Sequence, residues 1–312
     1  MDELISKRQL LKKLAWMLVF LSLFTGCAEE PEFLAEEDAS PGESEMMTVF
    51  ATAGMPLGVD TRLAYEEVSG GGDAPNNLSV TWREFTADYA EKFTVLDVKE
   101  GNDSRPFYTF SLIERADNPH LATFKGGLPN GTKNGTALYA FYPALANGKD
   151  EVGYYAPAQA MPMDLSTQSG ILNNDTKTYM YAKTTYETDK EITFSFHHLT
   201  AMVKLVLTFP EGVSTITDLT FNATDMYNRK NVDLTTDPVT YSGTHKDPIP
   251  LTGTFAVTNS HATAYICLFP GELLKDIVIS AKGKDDEVSY SGTLPEATLT
   301  AGTMYTANVE MK

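Results

Sequence analysis

The run Ile192 to Phe209, ITFSFHHLTAMVKLVLTF, constrains the fold more than any other stretch of the chain. From Leu199 onward, Leu199, Ala201, Val203, Leu205, Leu207 and Phe209 fall on one face, with Thr200, Lys204 and Thr208 on the other. An apolar period of two marks a strand with one face in the core, because successive side chains of an extended chain point to opposite sides. The run predicts the opening strand of a second β-domain.

Shorter strand-like runs precede it: Thr48 to Ala53, Ser79 to Trp82, Phe93 to Val98, Phe107 to Ile113, Ala137 to Tyr142 and Tyr179 to Tyr181. They are rich in Val, Thr, Tyr and Phe, and turn formers such as Gly70-Gly71-Gly72-Asp73 and Leu128-Pro129-Asn130-Gly131 separate them. Further runs follow it: Leu219 to Ala223, Gly253 to Val257, Ala264 to Phe269, Ile277 to Ala281, Val288 to Gly292 and Tyr305 to Met311. Helical periodicity long enough for a sizeable helix is absent from the sequence between them. Strands at this spacing need a second sheet to cover each apolar face, so the expected class is all-β, with an N-terminal β-sandwich over 46–190 and a C-terminal one over 191–312. The last strand is held only by sheet pairing, and is either internal to its domain or lent to a neighbour. Within the first region, Gly153 to Tyr181 is the longest segment without a clear period. Its Tyr154-Tyr155 pair would serve as a sugar-stacking platform or pack the loop onto its own domain.

Upstream, Lys7, Arg8, Lys12 and Lys13 lead into the uncharged run Leu14 to Phe24 and then Thr25-Gly26-Cys27. A basic region, an apolar stretch and small residues describe a secretory signal over 1–26, and the apolar stretch is too short to span a bilayer as a helix. Phe24-Thr25-Gly26-Cys27 resembles a bacterial lipobox, with Phe24 where Leu is usual. The resemblance implies diacylation of Cys27, and two acyl chains suffice for stable anchoring. Residues 27–45 are acidic, carry Pro31, Pro41 and Gly42 and few large apolar groups, and read as a flexible stalk. Ala28-Glu29-Glu30 resembles the short acidic signal that directs Bacteroidota lipoproteins to the outer face of the outer membrane.

The net charge of −18 argues against nucleic acid and anionic membrane as partners. Cys267 lies in the apolar run Tyr265 to Phe269 and is expected to be buried. The sequence lacks the Gly-x-Ser-x-Gly elbow, the P-loop and the dinucleotide-binding glycine pattern, so catalytic and cofactor-binding residues are not expected. Five histidines form no His-x-x-x-His pattern, and His197 and His198 point to opposite faces of a strand, which gives a structural role rather than a metal site. Carboxylate runs such as Asp285-Asp286-Glu287 read as solvated loops.

Taken in order, the lipobox at Cys27, Asp60-Thr61-Arg62, Ala140-Phe141-Tyr142-Pro143, the Phe194-x-Phe196-His197-His198-x-x-Ala201-x-Val203 block and Ala301-Gly302-x-x-Tyr305 resemble the Bacteroidales fimbrillin family. That resemblance implies two transthyretin-like, Greek-key sandwiches carried to the cell surface as a lipoprotein. It implies a fimbrial (pilus) subunit or adhesin precursor, with other pilus subunits as partners and a glycan or protein receptor at the host or bacterial surface. It also implies cleavage by a trypsin-like protease after an arginine near the start of the first domain, here Arg62, and strand addition from a neighbouring subunit into the vacated groove. The competing expectation is a non-polymerising, carbohydrate-binding lipoprotein of a glycan-uptake system, with Tyr154 and Tyr155 as ligand contacts.

Overall fold

The computed structural model describes residues 45–53, 66–68, 76–79, 82, 91–97, 107–118, 120–128, 132–145, 157–172, 177–284 and 288–312. Strands are numbered in chain order. Seven of them close into a barrel: β1 (Glu45–Ala53), β10 (Ile192–His198), β9 (Met180–Thr185), β7 (Ala137–Tyr142), β4 (Lys92–Asp97), β5 (Phe107–Arg115) and β6 (Leu121–Leu128), with β6 returning to β1. A second sheet runs β17 (His261–Leu268), β11 (Ala201–Thr208), β21 (Thr303–Glu310), β3 (Asn76–Ser79) and β2 (Glu66–Val68). A third runs β15 (Ile249–Leu251), β12 (Thr215–Thr224), β18 (Leu273–Gly283) and β19 (Ser289–Leu294), with β16 (Phe255–Ala256) on β12 and β20 (Ala297–Thr298) on β18. The last is a three-stranded sheet of β14 (Thr240–His245), β13 (Arg229–Asp233) and β8 (Met161–Asp164). The protein is all-β, as the alternating runs predict.

Two hydrophobic cores organise these sheets. The barrel core is aromatic: Trp82, Phe93, Phe110, Phe124, Tyr142, Phe194 and Phe196 are all fully buried. The other core gathers Ala201, Val203, Leu205 and Leu207 of β11 with Ile216, Leu219 and Phe221 of β12 and Ile277, Ile279 and Ala281 of β18. The apolar set of β12 steps from Ile216 to Leu219 instead of Asp218. The register slips between Thr217 and Thr220, and Asp218 takes a positive φ of 49° there, so the bulge returns the apolar residues to the inside. β19 meets the end of the chain through a reciprocal pair, Ser291 N–H to Lys312 O at 3.0 Å and Lys312 N–H to Ser291 O at 2.9 Å. Gly292 permits that approach, since a Cβ there would lie 2.5 Å from Val309 and 2.7 Å from the Glu310 carbonyl.

The run Ile192 to Phe209, expected as one strand opening the second domain, is two strands in different sheets. β10 buries Ile192, Phe194 and Phe196 in the barrel, whereas β11 buries Ala201, Val203, Leu205 and Leu207 in the other core. The inward parity changes from even to odd between Phe196 and Leu199, and one straight strand cannot bury both sets against one face. The chain is pinned at the crossing, where Leu199 N–H donates to Tyr179 O at 2.8 Å and Gly302 N–H to Thr200 O at 2.9 Å.

Two other strands lie where the sequence gives little sign of them. β6, LATFKGGL, hides its alternation behind Lys125, Gly126 and Gly127. Gly126 is needed because a Cβ there would come within 2.6 Å of the Phe110 ring. β8 lies inside the segment read as a loop. Its Pro162 is tolerated because β8 is an edge strand among the described residues, paired there with β13.

Candidate functional site

β1 is the stave that closes the barrel. It runs antiparallel to β6, with Val49 opposite Phe124 and Ala51 opposite Ala122, and parallel to β10, with Val49 beside Ile192 and Ala51 beside Phe194. The ladders cover Glu45–Thr52 on the β6 side and Val49–Ala53 on the β10 side. Val49 and Ala51 are buried, at 0% and 1% exposure. Beneath them the rings interlock: Phe124 lies 5.0 Å from Trp82 and 4.8 Å from Phe93, and Phe93 lies 5.5 Å from Phe194 and 5.2 Å from Phe196, mostly edge to face. Without β1 the ring opens between β6 and β10, and this aromatic floor faces a slot one strand wide.

The chain after β1 leaves the barrel. β2 pairs with β3, and β3 with β21, so the strands on either side of residues 54–65 belong to different sheets. Arg62 falls in that segment and lies outside the described residues, as do Cys27, Tyr154 and Tyr155. None of the sequence-predicted site residues is therefore among those the structure describes. The structure shows instead the slot itself, whose walls the sequence marks only through Phe194-x-Phe196 and the apolar residues of β6.

The histidine pair sits at the crossing between barrel and second sheet. The exposed His197 ring lies 5.8 Å from Tyr181. His198 is intermediate in overall exposure, but its Nε2 is sealed from solvent without a hydrogen-bond partner among the described residues. Burial, with a smaller contribution from His197, pushes the His198 imidazole down to about 4. Among the described residues no three His, Cys, Asp or Glu side chains cluster as metal ligands would. Cys267 is buried, as its apolar run predicts.

Two polar arrangements tie the smaller sheet to its surroundings. The Tyr179 hydroxyl accepts from Asp164 N–H at 3.0 Å and donates to Asp164 O at 3.2 Å, and burial raises its pKa to about 12. Burial opposes ionisation of the Asp164 carboxyl, but hydrogen bonds from Ser166 and the nearby Arg229 outweigh it and hold the group below its usual range. Lys230 is buried on β13, with Nζ 2.7 Å from Glu272 Oε1. The same Nζ lies within 5.2 to 5.8 Å of the Tyr227, Phe269 and Tyr241 ring centres.

Comparison with known proteins agrees with this architecture. A candidate cell adhesion protein from Bacteroides ovatus superposes with a TM-score of 0.52 at 15% identity, over 86% of this chain and 92% of that one. A candidate cell adhesion protein from Bacteroides uniformis gives 0.47 at 12% identity, over 86% and 96%. The fimbrial anchor protein Mfa2 from Porphyromonas gingivalis gives 0.38 at 12% identity, over 81% and 82%. No curated protein matches the sequence. At these identities the first of these structures speaks to the fold alone. The model of the fimbrillin-like family matches residues 129–312, more than half of the sequence, and the chain belongs to that family.

Proposed function

We propose that the protein is a non-enzymatic subunit of a surface fimbria, or an adhesin precursor, that joins its neighbours by exchange of β1. Family membership supports the structural and adhesive role. The observation that carries the exchange step is the position of β1: a nine-residue strand closes an otherwise continuous sheet between β6 and β10 and is followed by a segment leading to a different sheet. Cleavage after Arg62 cuts β1 from the rest of the chain and leaves it held only by the slot. A strand from another subunit then takes its place, with main-chain hydrogen bonds giving affinity and alternate side chains giving register.

In this reading residues 1–26 are a signal peptide, Cys27 carries the lipid that anchors the precursor at the outer membrane surface, and residues 27–45 are a stalk. Two transthyretin-like domains follow, and the first extends through His198 because β10 is part of the barrel wall. Trypsin treatment of the folded precursor, with N-terminal sequencing and an unboiled gel, tests the proposal. A product beginning at Leu63 together with a ladder of oligomers is expected. An intact chain, or a Leu63 product that stays monomeric, would refute the exchange.

A further inference from the structure

We infer that the slot filled by β1 selects its occupant by side-chain size. It accepts a strand of another subunit that lies in β1's orientation and register, with a residue no larger than alanine at the place of Ala51. This rests on the strand-exchange reading. Alanine faces alanine at this position, since Ala51 stands opposite Ala122 on β6 and beside Phe194 on β10, and all three are buried. The floor cannot retreat to admit a larger group. Phe93, Phe124, Phe194 and Phe196 are each at 0% exposure and hold one another at centroid distances of 4.8 to 6.5 Å. Close-packed interiors respond to added volume by strain rather than flow.

The intervening positions carry no such restriction. Residues 48, 50 and 52 stand opposite Lys125, Thr123 and Leu121 on β6, and 50 and 52 also stand beside Thr193 and Ser195 on β10. Those neighbours are exposed or half-exposed. The slot therefore reads one face of the incoming strand and ignores the other. It discriminates among strands of similar hydrophobicity by the volume at a single position.

The test uses the full-length chain nicked within residues 54–65, by trypsin at Arg62 or at a protease site engineered into that segment. Labelled peptides with the sequence of residues 45–53 are added, and their capture is followed by size-exclusion chromatography. The unaltered peptide and its Thr52→Lys variant are expected to enter the slot. The Ala51→Phe peptide should bind at least about fivefold less, the factor that the lower end of typical overpacking penalties produces. Equal capture of the Ala51→Phe peptide would overturn the size rule and leave strand exchange standing. Capture of no peptide would overturn both.

Discussion

Gln168 and Cys267 exchange two hydrogen bonds across 99 residues of sequence: Gln168 Nε2 donates to Cys267 O at 2.9 Å, and Cys267 N–H donates to Gln168 Oε1 at 2.8 Å. A side-chain amide thereby stands where the peptide of a neighbouring strand would stand on the open side of β17. The Gln168 backbone carbonyl also accepts from Thr252 N–H at 2.8 Å, so one residue joins the margins of two sheets. Barrel and second core thus present contrasting margins. The edge strand β17 is capped by a side chain, whereas the barrel is closed by a whole strand, β1, between β6 and β10.

Replacing Gln168 by Leu removes both bonds to the buried Cys267 backbone, along with a longer one from Nε2 to Leu165 O at 3.3 Å. Each Cys267 backbone group costs about 1–3 kcal/mol when its partner is lost, so the variant should lose about 2–6 kcal/mol, read as a lower urea midpoint at unchanged slope.

His198 predicts an acid sensitivity with a defined window. Its folded-state pKa of about 4 lies below the ordinary 6.5, so between those values the unfolded chain takes up the proton first. Stability is complete above pH 6.5, falls as pH drops toward 4, and loses no more to this group below that. The full loss is at most about 3 kcal/mol. Urea unfolding at pH 7.5 and pH 4.5 should show a smaller difference in His198→Gln than in the unaltered protein.

The Lys230 and Glu272 pair predicts an asymmetry. Glu272→Ala leaves an ammonium buried among three aromatic rings, whereas Lys230→Met replaces it with a side chain that suits those rings and leaves Glu272, 43% exposed, to water. Glu272→Ala should be the more destabilising, by about 1–3 kcal/mol, below the range for fully buried pairs because the carboxylate is partly solvated. Thermal melts of the two variants and the double mutant decide this.

Gly126→Ala places a methyl group 2.6 Å from the Phe110 ring. Phe110 stacks on Phe93 at 5.6 Å, so the push passes into the floor of the slot. A loss of about 1–3 kcal/mol is expected, and the nicked form of this variant should release β1 faster.

Much of this fold is legible in the residues themselves. β7 was expected over Ala137 to Tyr142 and has those bounds, and β12, β17, β18, β19 and β21 each overlap an alternating or apolar run. The parity change between Phe196 and Leu199 is also written in the sequence, but its meaning depends on which sheet each half joins. β6 escapes because Gly126 stands where the Phe110 ring supplies the bulk, β13 because a lysine, Lys230, takes a buried position, and β14 because it is mostly exposed and has no apolar face. The slot is the least legible feature, because its walls, β6 and β10, are more than sixty residues apart and only the closure of the barrel sets β1 between them.

A reversible covalent lock on β1 tests the central claim most directly. Thr52 and Ser195 are register partners on β1 and β10, and cysteines introduced at both positions serve to bridge the two strands. The double variant, nicked within residues 54–65, should remain monomeric while oxidised and form oligomers once a reductant frees β1. Oligomers forming equally well in the oxidised state would show that assembly does not pass through this slot.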